Sequence, residues 1–161
     1  MRRTIQTAIL AGLCVFAAGW AYAQHPGHGA HQPGMKPTAD TRELVTFPPE
    51  LVEHTLTNMR DHLFALEEIN EALGRGDNSK AAKVAEDRLG MTSLKLHGAH
   101  EVAQYMPQGM QDAGTGMHRA ASRFAIEAQN AAVTGDLKPA LGALSEVMNG
   151  CVGCHAGYRL K

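Results

Sequence analysis

The sequence predicts an all-α protein, an antiparallel four-helix bundle, and three observations lead to this fold class. Beyond the proline pair at residues 48–49, apolar side chains recur at steps of three and four, which places them along one face of a helix. Glycine-containing breaks divide this region into four helical segments joined by short links. No segment shows sustained alternation of apolar and polar residues, so we expect no β-sheet. Four amphipathic helices with short links pack most simply as an antiparallel bundle.

The chain ahead of the bundle predicts a signal peptide followed by a tail. Residues 1–23 begin with two arginines after the initial methionine, continue with an apolar run and end on Ala21-Tyr22-Ala23, the small-residue pattern that precedes a signal peptidase cut. We therefore expect export to the periplasm. The apolar run is shorter than the ~20 residues that span a bilayer, so we expect no membrane insertion; an uncleaved anchor is the alternative. Residues 24–49 are rich in histidine, glycine and proline and predict a flexible tail, which leaves residues 50–161 for the bundle.

Each helix is predicted from its apolar stripe and from the residues that end it. The first covers about residues 50–73 and stops at Gly74, and the second begins near residues 78–79 with an undefined end. Residues 107–114 predict a loop, the third helix covers about residues 115–134, and the fourth follows the Gly-Asp pair after it. The residues expected to face the core are Val52, Leu56, Met59, Leu63, Leu66 and Leu73 in the first helix, Ala81, Val84, Ala85 and Leu89 in the second, Met117, Ala121, Phe124, Ala128 and Ala131 in the third, and Leu137, Leu141, Leu144, Met148, Cys151, His155 and Tyr158 in the fourth.

Charge and cysteine content narrow the range of functions. The formal net charge is −1 and no long block of like charge occurs, so we expect no nucleic-acid partner. Of the three cysteines, Cys14 lies in the predicted signal peptide, which leaves Cys151 and Cys154 in the mature chain. A disulfide between these two would close a loop of only a few residues and stabilise the fold little. The two thiols are therefore predicted to serve another purpose.

The segment CVGCH at residues 151–155 has the C-x-x-C-H spacing of a c-type haem attachment site. In such a site the two thiols add to the vinyl groups of the porphyrin, and the histidine that follows ligates the iron. A redox-active dithiol would start a helix after a strand, and a zinc site would need further ligands at finger-like spacing. We therefore expect one haem c near the C-terminus of the fourth helix, attached through Cys151 and Cys154, with His155 as the proximal iron ligand.

The chain resembles the class II c-type cytochromes, the family of cytochrome c′ and cytochrome c-556. The likeness covers about residues 50–161 and includes the signal peptide, the four-helix pattern, the single motif near the C-terminus, and an aromatic and a basic residue after it, Tyr158 and Arg159. The resemblance implies that Arg159 lies near the haem edge or a propionate; a solvated charge at the helix end is the alternative. Family members are often dimers through their first two helices, so the resemblance also raises the prospect of a homodimer.

The resemblance places the sixth position of the haem iron against the first helix. Cytochrome c′ proteins have an apolar side chain there and bind nitric oxide or carbon monoxide, whereas low-spin relatives supply a methionine and carry electrons. Aligning HTLTNMRDHL with the family sets Leu56 at the distal position, with Met59 one turn along, and a one-turn shift exchanges them. His54 and His62 are alternative ligands. Val52 stands where the family tends to have a propionate-binding arginine, which puts that contact in doubt.

We therefore expect a periplasmic monohaem cytochrome that carries single electrons between redox partner proteins. An enzyme is not expected, because no general base, nucleophile or substrate-sized polar pocket is evident in the sequence. The first alternative is a five-coordinate haem protein that binds nitric oxide or carbon monoxide. The second is a copper-handling protein that uses the tail residues His25, His28, His31 and Met35.

The remaining histidines and methionines are assigned structural positions. We expect the three histidines of the central region at the surface, with part of a metal site as the alternative. We expect the three methionines around the predicted loop to pack against it or against the core, with a soft-metal patch as the alternative. These residues are His97, His100, His118, Met106, Met110 and Met117.

Overall fold

A computed structural model describes residues 39–161 of the chain. The predicted signal peptide of residues 1–23, Cys14 and the tail residues up to 38, including His25, His28, His31 and Met35, lie outside the described residues. The described chain contains five α-helices, one 3-10 helix and two three-residue strands. They are β1 (Glu43–Val45), α1 (Pro49–Gly74), α2 (Asn78–Arg88), the 3-10 helix (Met91–Lys95), α3 (Ala99–Ala103), α4 (Gln108–Thr134), α5 (Lys138–Gly157) and β2 (Tyr158–Leu160). The predicted all-α class is consistent with this structure.

Helices α2 and α4 bury the side chains that the sequence predicts. Each of the stripe residues predicted for these two helices is buried, and Phe124 is the largest of the fully buried side chains among the described residues. Alanines make up much of both stripes, so the helix backbones approach closely around Phe124. These stripes are therefore confirmed.

Helix α4 begins at Gln108, so the predicted loop at residues 107–114 is wrong. Pro107 precedes the first turn, where a fixed φ favours helix initiation. Gly109 and Gly114, which lie within the predicted loop, are instead part of the helix. Gly109 has a packing reason, because a β-carbon there would overlap the hydroxyl group of Tyr158.

The predicted inward face of α1 is also wrong. The buried residues are Thr55, His62, Ala65, Ile69 and Ala72, whereas the predicted core residue Leu63 is 68% exposed. The true face is rotated from the predicted one by roughly 100°, which is one residue of an α-helix. Small alanines permit the close packing, and the leucines that defined the predicted stripe lie at the edge of the interface or outside it.

Helix α5 departs from its predicted stripe in the same way. Ala140, Leu144 and Val147 are buried, and Cys151 packs beside them against the main core. The predicted core residues Leu141, Met148 and His155 are exposed. Leu144 and Cys151 are therefore confirmed as inward-facing, and the rest of the inward face is formed by Ala140 and Val147.

The two strands form a parallel pair that the sequence did not predict. Glu43 pairs with Tyr158 and Val45 with Leu160, and strands of three residues are too short to show a clear alternation. Val45 and Phe47 are both buried, in a second apolar cluster with Val102 and Met110. Residues 43–47 therefore belong to the fold, which corrects the assignment of residues 24–49 as a flexible tail over this part.

The second apolar cluster positions the end of α5. Cys154 and Tyr158 pack against it, together with Val52 and Leu51 from the start of α1. The CVGCH segment is therefore held between the main core, which contacts Cys151, and this smaller cluster, which contacts Cys154. Among the described residues, no helix combines the length and the apolar character needed to cross a bilayer.

Close packing of α4 and α5 gives a stability prediction. A β-carbon added at Gly150 would lie 2.7 Å from Cβ of Met117 and 3.0 Å from its Cα. We expect Gly150→Ala to lower the free energy of unfolding by about 1–3 kcal/mol, because the two helices must move apart. Urea unfolding followed by circular dichroism measures this change.

Gly142→Ala is the matched control on the same helix. A β-carbon at Gly142 meets nothing within 4 Å, so this variant is expected to be neutral or to gain up to about 1 kcal/mol from helix propensity. Equal destabilisation by the two variants would contradict the close contact between Gly150 and Met117.

Candidate functional site

A cavity of about 440 Å³ lies at the end of α5, beside the CVGCH segment. Its walls come from α1, from the chain between the 3-10 helix and α4, from the first turns of α4 and from the junction of α5 with β2. This volume falls within the about 300–1,000 Å³ of sites that enclose small molecules or cofactors. Side chains of Cys154, His155, Tyr158 and Arg159 line the cavity on the α5 side.

The two cysteines differ in their relation to this cavity. Cys154 is half-buried and lines it, whereas Cys151 is half-buried, packs against the main core and is not among the lining residues. Both are free thiols. Burial raises the pKa of each thiol, so both stay protonated at neutral pH. Reactive dithiols have a lowered pKa, and the direction found here is the opposite.

The segment before β1 contacts the end of the motif. Arg42 donates a hydrogen bond from Nη1 to the carbonyl oxygen of His155 at 3.4 Å, and its Nη2 lies 2.8 Å from Oδ2 of Asp40. The Arg42 hydrogen bonds lower the pKa of Asp40 to about 2, so the carboxylate is charged at neutral pH. Asp40 also pairs with Arg159, at 3.5 Å from its Nε. Sequence analysis missed Arg42 and Asp40, because both were assigned to the tail.

The surroundings of Arg159 combine the two alternatives that the sequence left open, a position at the cofactor site and a solvated charge at the helix end. It lines the cavity, yet its side chain is 40% exposed and ion-paired with Asp40. A cation therefore lies at the cavity mouth, with its charge partly balanced by a carboxylate.

Both residues considered for the sixth iron position face the same cavity as His155. Leu56 is 39% exposed and Met59 is half-buried, and both line the wall formed by α1. Val52 lies one turn earlier on the same wall. The structure therefore brings together the residues of the predicted proximal and distal sides, and it leaves the choice between Leu56 and Met59 open.

A cluster of three buried histidines forms another part of the cavity wall. His62 from α1, His97 from the chain after the 3-10 helix and His118 from α4 are 7%, 6% and 8% exposed. Their ring centres are 4.7 Å apart for His62 and His97, 5.9 Å for His62 and His118, and 5.6 Å for His97 and His118. The predicted surface position of His97 and His118 is therefore wrong, whereas His100 is exposed as expected.

Local contacts hold this histidine cluster in place. His118 donates a hydrogen bond from Nδ1 to the carbonyl oxygen of Leu89 at 2.7 Å. Gly98 takes a left-handed conformation with φ +59° and turns the chain directly after His97. The carbonyl oxygen of His97 accepts hydrogen bonds from Nε2 of His54 at 2.9 Å and from Nδ2 of Asn58 at 3.0 Å. His54 is thereby engaged with the backbone of His97.

The three imidazoles are neutral at neutral pH. Burial lowers the pKa of each, and for His62, which also has the other two rings beside it, the pKa falls to about 4. Asp61 opposes this shift, but its carboxylate is paired with Arg88, and a hydrogen bond from that guanidinium lowers the pKa of Asp61.

The cluster was not predicted, because its members are far apart in the chain. The one local indication that these histidines are buried was their position in the helices. His118 directly follows the predicted core residue Met117, and His62 lies three residues before the buried Ala65.

The methionines near the cavity are mostly buried. Met110 and Met117 are buried and Met106 is half-buried, and all three line the cavity with Met59. The expected packing is confirmed for Met110 and Met117, which belong to the two apolar clusters, and Met110 lies in α4 rather than in a loop.

Comparison of the chain with protein-family models, with curated proteins and with solved structures gave no match. The resemblance to class II c-type cytochromes therefore rests on the motif and the helical pattern of the chain itself.

Proposed function

We propose that the protein is an exported class II-like c-type cytochrome that carries single electrons between redox partner proteins. In this proposal the helices form an antiparallel four-helix bundle, and one haem c is attached near the end of α5. The observation that carries the proposal is a common cavity: Cys154 and His155 of the CVGCH motif line the same cavity as Leu56 and Met59 of α1.

The residues around this cavity fit haem c. The cavity is enclosed largely by apolar side chains, and the motif contributes free thiols and an imidazole that makes no side-chain hydrogen bond among the described residues. Attachment through Cys154 has the stronger support, because Cys151 packs against the main core rather than lining the cavity. When bound, haem c would supply an iron that cycles between the Fe(III) and Fe(II) states.

The chain's own residues would have separate tasks. Thioether bonds to the cysteines would retain the cofactor after export, where a dissociable group is lost by dilution. His155 would hold the iron on one side, while the apolar wall around Met106 and Met110 would exclude water from the site. Arg159, at the mouth of the cavity, would favour a propionate or the more electron-rich state of the cofactor.

Binding of nitric oxide or carbon monoxide is the second candidate function. It is favoured by the position of Leu56, which lines the cavity beside Met59. If Leu56 rather than Met59 faces the iron, the sixth position is open to a small gas ligand, and the protein binds that ligand instead of transferring electrons.

The optical spectrum of the reduced, matured protein separates the two candidates. We expect sharp low-spin bands that do not change with carbon monoxide, because the Met59 thioether would hold the iron opposite His155. Met59→Leu is expected to give a broad, high-spin spectrum that responds to carbon monoxide. Met148→Leu is the control, since Met148 is exposed and is not a cavity residue. A wild-type spectrum that already responds to carbon monoxide would reject Met59 ligation and favour the gas binder.

A further inference from the structure

The histidine cluster as a whole has no task in the proposed electron transfer, although His62 alone is an alternative iron ligand. His62, His97 and His118 come from three separate elements, and each is more than nine-tenths buried. Their neighbour Asp61 is paired with Arg88, so its carboxylate is already neutralised by another partner. Burial of three neutral imidazoles beside one another at the wall of a cavity is unusual, and binding of a ligand by their nitrogens would explain it.

The spacing of the rings is that of ligands around one metal ion. Nitrogen ligands bind a tetrahedral zinc ion at about 2.0–2.1 Å, which sets the centres of any two imidazole ligands about 5 Å apart. The three observed separations, 4.7, 5.6 and 5.9 Å, lie around this value. Nε2 of His62 and Nδ1 of His97 lie 3.4 Å apart and are hydrogen-bonded to each other, which leaves Nε2 of His97 as the ring nitrogen without a partner.

Two further contacts match the surroundings of a metal-binding histidine. Such a residue typically donates its second ring N–H to a backbone carbonyl or carboxylate, which fixes the ring. His118 does so through Nδ1 to Leu89, and its Nε2 is left for a metal. Nε2 of His97 is buried and has no hydrogen-bond partner, although the backbone of this residue is held by His54 and Asn58. A buried nitrogen without a partner is unusual, and a ligand that it binds would account for it.

We propose that His62, His97 and His118 bind a late first-row transition metal ion of the zinc type, with a fourth coordination position open to the cavity. Among the described residues no three side chains already converge as ligands, so binding requires the rings to rotate about their side-chain bonds. The neutral imidazoles offer free lone pairs at neutral pH, and imidazole nitrogen suits zinc, copper and nickel. These histidines line the same cavity as the CVGCH motif, but the proposal rests on the histidine cluster itself and does not require bound haem.

Zinc binding by the full, haem-matured chain tests the proposal. The tail histidines His25, His28 and His31 are replaced by alanine, so that they cannot contribute ligands, and the protein is stripped with a chelator. Titration with Zn²⁺ against a chromophoric chelator is expected to show one ion per chain. His97→Gln and His118→Gln are each expected to weaken binding by at least the about 10–100-fold that follows from losing an orienting partner. His100→Gln is the matched control, because His100 is exposed and lies three residues after His97.

Substitution with Co²⁺ provides a readout that needs no glutamine variant. In the chain with the alanine-substituted tail, the visible bands of tetrahedral cobalt are expected in the difference spectrum against the cobalt-free protein. Circular dichroism shows whether each glutamine variant keeps its helix content. Absence of a tetrahedral cobalt spectrum would overturn the proposal, as would zinc affinity equal to the control in a folded His97 or His118 variant. Zinc content is independent of haem, so a colourless protein that binds zinc would contradict only the proposed electron transfer.

Discussion

A variant with serine at both Cys151 and Cys154 is expected to emerge from a host that matures c-type cytochromes without covalent haem. The hydroxyl groups cannot form the thioether bonds that the thiols form with the vinyl groups of the porphyrin. Intact mass and the colour of the denatured protein measure the attached haem.

The single variants are expected to differ. Cys154 lines the cavity whereas Cys151 packs against the main core, so Cys154→Ser is expected to lose more covalent haem than Cys151→Ser. Val152→Ser is the control, because Val152 lies inside the motif and is 64% exposed. Full haem content in the double serine variant would contradict attachment through these cysteines.

Acid is expected to destabilise the chelator-treated protein between about pH 6.5 and pH 4. Burial lowers the pKa of His62 from 6.5 to about 4, so in this range the unfolded chain binds a proton that the folded chain does not. Stability is therefore fully present above the unfolded pKa and is lost as the pH falls towards the folded pKa. At 1.36 kcal/mol per pKa unit, His62 alone accounts for about 3 kcal/mol, and the lowered pKa values of His97 and His118 act in the same direction.

Urea unfolding at a series of pH values measures this loss. His62→Gln removes the titrating group, so its free energy of unfolding is expected to fall less steeply over the same range. His100→Gln is expected to keep the slope of the wild-type protein, because His100 is exposed. Carboxylates with lowered pKa values, including Asp61, add to acid destabilisation in all three proteins and cancel in the comparison. An identical slope in His62→Gln and wild type would contradict the buried neutral state of His62.

The helical class could be predicted from the sequence because periodicity is a local property. The inward faces of α2 and α4 were predicted correctly. On these faces the alanines and a few larger apolar residues such as Phe124 lie on the same stripe. The face of α1 and part of the face of α5 were misassigned because large side chains were taken to define the core. In the structure, small residues such as Ala65 and Ala140 lie at the closest packing, and larger ones such as Leu63 lie outside it.

Features that depend on distant residues were not predictable in this way. Strand β1 acquires its structure by pairing with β2 at the other end of the chain. Gly109 lies in a helix rather than a loop, and its missing β-carbon leaves room for the hydroxyl group of the distant Tyr158. The histidine cluster likewise joins three segments that no local pattern connects. The CVGCH motif, by contrast, was evident because all of its chemistry lies within five consecutive residues, 151–155.

The most direct test of the account is the intact mass of the wild-type chain after export from a host with the haem-attachment machinery. We expect a coloured protein that begins after Ala23 and is heavier than its polypeptide by one haem, and whose haem stays with the chain on denaturation. A colourless protein at the mass of the bare polypeptide would contradict it.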